Sequence, residues 1–445
     1  MLGLLKKITG WRSQPDGKPA ADIIPRPKHP ISRKHISANA LKVLYRLHNH
    51  GYQAYLVGGG VRDLMLGLRP KDFDVVTDAR PEQVKALFRN CRLVGRRFRL
   101  AHITFGREII EVATFRARHA DNVKTKASGV VIQDNVYGTI DEDALRRDFT
   151  VNALYYNIAD YSVVDFVGGV HDLKKRQLSV IGDPMVRYRE DPVRMLRAVR
   201  LATKLGLKIV PASAKPIPKL AYLLSEVPPA RLWDECNKLF LAGYAHPTWH
   251  KLVETGLADV LFPMTAQALK SADGKAFREF IDRATLSTDE RIAQHKPVNP
   301  AFLFAVLLWL PVLHNTQKWQ GKGLHYADAF QKAASEVLAR QCEIVAIPKR
   351  FTSVIRDIWL LQNQLPKRAG KRAERLMAHP RFRAAYDFLL LRAAPESEEA
   401  DIGQWWTQYQ AADATERRRL IRLVSPRQRK HRRGRKPRHK RTASS

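Results

Sequence analysis

Apolar residues recur at helical spacing over residues 36–47, where Leu41, Val43, Leu44 and Leu47 share one side. A short apolar run follows, Ala54-Tyr55-Leu56-Val57, and ends in Gly58, Gly59 and Gly60. It predicts a strand entering a tight turn, with a helix from about Val61. Further strands are expected at 73–77, 92–95, 101–106 and 109–115, with a helix after Pro81. Beyond about Asp148 the spacing turns helical, at 192–205, 216–224, 229–241, 302–313 and 326–340, and strand signals become scarce. The pattern therefore predicts a small α/β unit followed by an all-helical second half. No internal repeat emerges. The longest apolar run, 301–313, has 13 residues with Pro311 inside it. A bilayer span takes roughly 20, so this run reads as a buried core helix.

Composition adds the partner. At roughly 100–200 residues per domain, 445 residues imply two to four domains, and 45% hydrophobic content is enough for real cores. Lys and Arg number 77 against 43 Asp and Glu, a formal charge of +34, which attracts polyanions: nucleic acid or an anionic membrane surface. Ten of these charges fall in 427–441, which has two His and no acid and is expected to be a disordered basic tail. Six more belong to residues 1–37, whose prolines and charges read as a flexible lead. The opening segment lacks the apolar stretch and cleavage site of a signal peptide. Cys91, Cys236 and Cys342 are too scattered for a disulfide framework or a cysteine-based zinc site, which fits a reducing, cytosolic setting.

The candidate chemistry is concentrated between Tyr55 and Ala79. Three glycines leading into a helix direct backbone N–H groups to one place free of side chains, and Arg62 adds a fork-shaped cation, an arrangement suited to phosphate. Ten residues beyond that arginine come Asp72 and Asp74, whose i, i+2 spacing on a strand sets both carboxylates on one face while Phe73 and Val75 turn inward. Two such carboxylates repel unless a cation lies between them, and hard oxygen ligands suit Mg²⁺. Glu111, sharing a face with Ile109 and Ala113, offers a third. The trio could hold two metal ions, one activating an attacking 3′-hydroxyl and one stabilising a leaving pyrophosphate.

Gly59-x-x-Arg62-Asp63, then Asp72-x-Asp74, then Arg146-Arg147-Asp148-Phe149-Thr150-x-Asn152, then Glu190-Asp191-x-x-Arg194-x-x-Arg197 resembles the nucleotidyltransferase class that contains bacterial poly(A) polymerases and tRNA CCA-adding enzymes. The resemblance is strongest over residues 54–206. It implies an α+β fold: a polymerase-β-like nucleotidyltransferase head with a mixed sheet, then all-helical neck and body domains. The division expected is a lead at 1–37, head at 38–160, base-recognising neck at 161–225, RNA-binding body at 226–425 and tail at 426–445. It further implies template-independent addition of nucleotides to an RNA 3′ end, with Mg²⁺, two ions, as cofactor and Mn²⁺ as a substitute. By the same resemblance Asp72 and Asp74 are the catalytic metal pair with Glu111 beside them, and Gly59 and Arg62 grip the triphosphate. Arg146, Arg147, Asp148 and Asn152 face the ribose and phosphates. Asp148 either joins catalysis or orients Arg147 or a ribose hydroxyl.

The last motif also has a physical reading. Asp191 is a natural N-cap, Pro192 suits a first helical position and Gly206 an end, so a helix over 192–205 is expected. Arg194, Arg197 and Arg200 form a polar stripe on it. The resemblance makes these nucleotide-binding residues. A carboxylate and a guanidinium complement the adjacent donor and acceptor of adenine or cytosine, so Asp191 and Arg194 favour A and C without choosing between them.

Residues 93–106, including Arg96, Arg97 and Arg99, resemble the segment that marks bacterial poly(A) polymerases, as do parts of the body; the stretch from Arg116 to Asp134 is shorter than in some relatives. The implied activity is AMP transfer from ATP to RNA 3′ ends of mRNA and other transcripts, feeding RNA-degradation machinery in a bacterial cytoplasm, with no membrane role. The alternatives are tRNA CCA addition, and an RNA-binding factor that has lost catalysis. Two other features read as structural: the His171-Asp172 pair, which lacks companion metal ligands, and Trp405-Trp406, which fits a helix core better than a base-stacking platform.

Overall fold

The computed structural model describes residues 20–95, 99–117 and 136–424. Arg96, Arg97, the tail and most of the 116–134 stretch lie outside them. The chain divides into two compact units. The first contains residues 1–271, 285–298 and 339–347, and the second 272–284, 299–338 and 348–445.

The first unit is built on an eight-stranded sheet. Its strands are β1 (Asp22–Ile24), β2 (Ala54–Val57), β3 (Asp74–Thr77), β4 (Cys91–Val94), β5 (Leu100–Phe105), β6 (Glu108–Thr114), β7 (Leu154–Asn157) and β8 (Val163–Asp165). They lie in the order β1-β8-β7-β2-β3-β6-β5-β4. Only β3 and β6 pair in parallel; the other neighbours are antiparallel, so the sheet is mixed. The helix Ala38–Asn49, begun by Ser37 accepting from Asn39 and Ala40 N–H, packs Ala40, Val43, Leu44 and Leu47 toward one face of this sheet. The opposite face is partly packed as well, with Val57, Val76 and Tyr155 in a buried cluster with Ala144 and Phe166.

Several expectations change. Residues 20–37 are not a free lead: β1 pairs with β8, His29 is buried, and Arg33 donates to the hydroxyls of Tyr45 and Tyr161. Three residues between prolines carry too little periodicity to announce a strand. The head's sheet also runs past 160, since β8 completes it. The second half is not wholly helical either, because Gln177–Leu178 and Lys208–Ile209 form a small parallel pair. The strand expected from Phe73 begins at Asp74, so Asp72 stands just ahead of it.

The helix expected over 192–205 runs Val193–Leu205. Asp191 Oδ1 accepts from Val193 N–H at 3.3 Å, and Gly206 ends it in the left-handed region at φ 62°. In the second unit the apolar run 301–313 forms two helices, Pro300–Leu307 and Trp309–Gln320, meeting at 47°. Pro311 sits in the first turn of the second, where no intrahelical N–H is needed. Among the described residues no single helix is long and apolar enough to cross a membrane. Trp405 and Trp406 are buried in a cluster with Phe382, Tyr409 and Leu420, and their indole N–H groups donate to the carbonyls of Leu420 and Leu365. They are core residues.

Candidate active site

The sheet face opposite the helix Ala38–Asn49 carries the carboxylates. In the β3–β6 register Asp74 is the partner of Glu111, and Val57 on the other side is the partner of Asp74. Along β3, Asp74 is exposed while Val75 and Val76 are buried, and on β6 Glu111 is exposed between buried Ile110 and Val112. Side chains paired this way stand about 5 Å apart. Although its surface is exposed, the protein packed around the Asp74 carboxyl desolvates it enough to push it up to about 6, helped by the negative charge of Glu111 and, more weakly, Asp72; Arg147 opposes this. An acid held up by neighbouring acids is one that a cation would relieve. Asp72, on the approach to the strand, completes the set without packing into a single knot: the ligand oxygens of the three do not all fall within 4.8 Å of one another.

Two arginines lie over the glycine turn. Gly58 has φ 73°, and a Cβ there would stand 3.6 Å from Arg147 Nη1, so this position favours glycine both for conformation and for approach. Arg62 is buried and held by three hydrogen bonds: Nε and Nη2 donate to Asp63 Oδ1 at 2.8 and 2.6 Å, and Nη1 to Asn152 Oδ1 at 2.6 Å. Asn152 in turn donates to Asp148 Oδ1 at 3.1 Å, and Asp148 Oδ2 receives Arg197 Nε at 2.7 Å. This hydrogen-bonded chain links the glycine-turn helix Gly59–Met65 to the helix Val193–Leu205. Burial alone would raise the Asp148 carboxyl, but Arg197, Asn152 and the Phe149 N–H outweigh it and hold it below the usual carboxylate range. With both oxygens engaged, Asp148 is arranged to orient its partners.

The three arginines of the neck helix are not a solvated stripe. Arg194 donates to Glu190 at 2.9 Å and to the Arg187 carbonyl at 2.7 Å; Arg197 pairs with Asp148; Arg200 lies 3.5 Å from the buried Glu235. Asp191 Oδ2 is held by Arg231 Nη2 at 2.8 Å. Arg146 lines the same cleft, whose volume is about 370 Å³ and whose wall also includes Ala113, Asp143, Arg147, Asp148, Asp191, Arg194 and Arg197. An adjoining cleft of about 340 Å³ is lined by Gly59, Arg62, Asn152, Arg197, Arg200, Lys204 and Lys238.

Gly59, Arg62, Arg146, Arg147, Asp148, Asn152, Asp191, Arg194, Arg197 and Arg200 therefore line one or both of these two clefts, whereas Asp72, Asp74 and Glu111 line neither, and Arg96 and Arg97 lie outside the described residues. Sequence reasoning missed Asp143, Tyr155, Arg187, Arg231 and Glu235, which hold the motif residues in place, and His102, whose Nε2 is 3.5 Å from Glu111 Oε1. Asp172, by contrast, accepts from Thr150 Oγ1 at 2.6 Å beside an exposed His171, a structural role.

Residues 54–179 match the family described as the poly A polymerase head domain, 206–269 a probable RNA and SrmB-binding site of polymerase A, and 322–440 the polymerase A arginine-rich C-terminus. Among known proteins, poly(A) polymerase I of Escherichia coli O6:H1 is 51% identical over 98% of this chain and 96% of its own length. The Haemophilus influenzae enzyme of the same name is 47% identical over 94% of each. A CCA-adding enzyme of Bacillus pumilus is 34% identical, but only over 50% of this chain and 54% of its own. In fold the chain is similar to the Bacillus stearothermophilus CCA-adding enzyme solved with CTP, at TM-score 0.58 and 24% identity, covering 84% of this chain and 81% of that one. The two-fold difference in coverage decides between the subgroups: the chain belongs to the bacterial poly(A) polymerase family of nucleotidyltransferases.

Proposed function

We propose that the cleft performs template-independent transfer of AMP from ATP to RNA 3′ ends, with Asp72, Asp74 and Glu111 as ligands for two divalent ions. The observation that carries this reading is the paired register of Asp74 and Glu111 beside a cleft walled by arginines. Bound there, magnesium, or manganese in its stead, would sharpen the RNA 3′-hydroxyl as a nucleophile and offset charge on the departing pyrophosphate. The protein's own part is positioning. Arg62 and Arg147 place fixed positive charge at the glycine turn for the triphosphate. Asp148 is a positioning residue for Arg197 and Asn152. Asp191 and Arg194 present a carboxylate and a guanidinium to the base edge, after the nucleotide displaces Arg231 from Asp191. The head and neck residues thus hold the nucleotide, with a base edge that suits A or C. RNA reaches the same 3′-hydroxyl site, and an added unstructured end would serve RNA degradation in a bacterial cytoplasm.

The test is incubation of the purified protein and Mg²⁺ with each NTP separately, on oligo(A) and on a tRNA lacking its terminal CCA. Long tails from ATP alone on oligo(A) are expected. Addition that stops after C, C and A on tRNA only would sink the reading in favour of CCA addition, and no incorporation at all would favour an RNA-binding factor.

The carboxylate cluster adds a pH prediction. Because the Asp74 acid form persists up to about 6, protons compete with the metal below that value. Apparent Mg²⁺ affinity, followed as the thermal shift on Mg²⁺ titration, should fall roughly tenfold per pH unit below 6 and level off above it. A flat response between pH 5 and 7 would remove Asp74 from the ligand set.

A further inference from the structure

A residue outside the recognised motifs holds one of the arginines that serve the proposed site. Tyr155 on β7 is fully buried, and the register places it in one cross-sheet row with the carboxylates: Tyr155 beside Val57, Val57 beside Asp74, Asp74 beside Glu111. Neighbouring strands are about 4.8 Å apart, so Tyr155 stands two strands, roughly 10 Å, from Asp74. From there its side chain meets Arg147. The guanidinium carbon is 5.3 Å from the Tyr155 ring centroid, and Arg147 Nε donates to Tyr155 Oη at 3.0 Å. The Tyr155 hydroxyl donates onward to Asp143 Oδ2 at 2.8 Å, and that same oxygen accepts from Arg147 Nε and Nη2 at 3.1 and 2.9 Å.

The seat therefore takes up one edge of the guanidinium. Nη1, on the other edge, lies at the glycine turn, where the Gly58 backbone comes close. Arginine on its own stem has many rotamers, and its charge would be spread over them. A tyrosine hydroxyl at Nε and a carboxylate at Nε and Nη2 leave it one place.

We propose that Tyr155, together with Asp143, is a positioning residue for Arg147, fixing its guanidinium over the glycine turn where the triphosphate of ATP and then the pyrophosphate leaving group lie. This rests on the reading that Arg147 faces the nucleotide phosphates. Its effect falls on the chemical step more than on ground-state binding, because a charge preorganised for the leaving group gains most as that group departs.

The experiment is steady-state kinetics of ATP incorporation onto oligo(A) by the full chain with Mg²⁺, for Tyr155→Phe in two backgrounds. In the natural background Tyr155→Phe, which keeps the ring and removes only the hydroxyl, should lower kcat by about tenfold or more and move KM for ATP by less than about threefold. In an Arg147→Lys background the same change should cost less than about twofold, since lysine has no Nε–H for the hydroxyl to receive. An equal loss in both backgrounds would show general loosening of the fold and overturn the proposal, as would an unchanged kcat in the natural background. Arg147→Lys with natural kinetics would instead overturn the underlying reading of Arg147. Should Tyr155→Phe melt below the assay temperature, Asp143→Asn, similar in size, enters the same pair of comparisons with the same expected outcomes.

Discussion

Asp74→Ala should lower AMP incorporation onto oligo(A) by about a thousandfold or more without lowering the melting temperature of the metal-free protein. The two halves of that expectation have separate causes. Activity falls because the carboxylate lies at the junction of β3 and β6, opposite Glu111 and next to Arg147's charge, where no other acid of the set can replace it. Stability is retained because the Asp74 side chain is exposed and the packing of β3 is carried by Val75 and Val76.

The sign of its titration points the same way. Its folded pKa, about 6, lies above the unfolded carboxylate value near 3.9, so the ionised group is unfavourable to the folded, metal-free protein above that range. Removing it relieves repulsion with Glu111. Single-turnover rates and thermal melts without and with Mg²⁺ check both halves. Undiminished tailing would withdraw the metal assignment, and a large drop in melting temperature would make Asp74 a structural residue.

Asp148→Asn is the opposite case, with an expected loss of about 3 kcal/mol in stability at neutral pH and at least about a hundredfold in kcat/KM for ATP. Asp148 is the acid that holds Arg197 through Oδ2 and Asn152 through Oδ1, and Asn152 holds Arg62. A neutral amide leaves Arg197 without its hydrogen-bonded acid, with only the weaker fields of Glu235 and Asp191 to offset its charge in a mostly enclosed site. The figure is set at the low end for a broken buried pair because a third of the Arg197 side chain still meets solvent.

The Asp148 carboxyl is depressed in the folded protein, so its contribution is present above the unfolded value near 3.9 and is lost as pH falls through the lower folded value. Urea titrations of both proteins at pH 7 and below pH 4 would show the gap wide at the first and narrowing at the second. A pH-independent gap would remove the ion pair as its cause.

Much of the head could be read from the chain because its chemistry is local. Ala54 to Asp74 spans one strand, one turn, one short helix and the start of the next strand, so glycine conformation, carboxylate spacing and strand period all act within a few residues. The supporting residues are different in kind. Arg231 reaches Asp191 across 40 positions, Arg62 reaches Asn152 across 90, and Arg197 reaches Asp148 across 49. Nothing in the neighbourhood of Arg231 or Tyr155 distinguishes them from an ordinary helix arginine or a core tyrosine. Their roles arise from which faces the sheet and the neck helix turn toward each other. The break at Leu308 was hidden for a related reason: a run apolar on all sides carries no period to show where one helix stops.

The pairing of β1 with β8 sets an order on events at the ribosome. Asp22 finds its partner in Asp165 on the adjacent strand β8, and β8 reaches the rest of the sheet through β7 and then β2, which are themselves far apart along the chain. A growing polypeptide cannot seat its first strand until well over a hundred further residues have emerged. Through that interval β3 can already pair with β2 and β6, while the Arg147 segment, β7 and β8 arrive last. β1 is therefore locked into the sheet only after β8, and with it the Arg146–Arg147 segment, has been made.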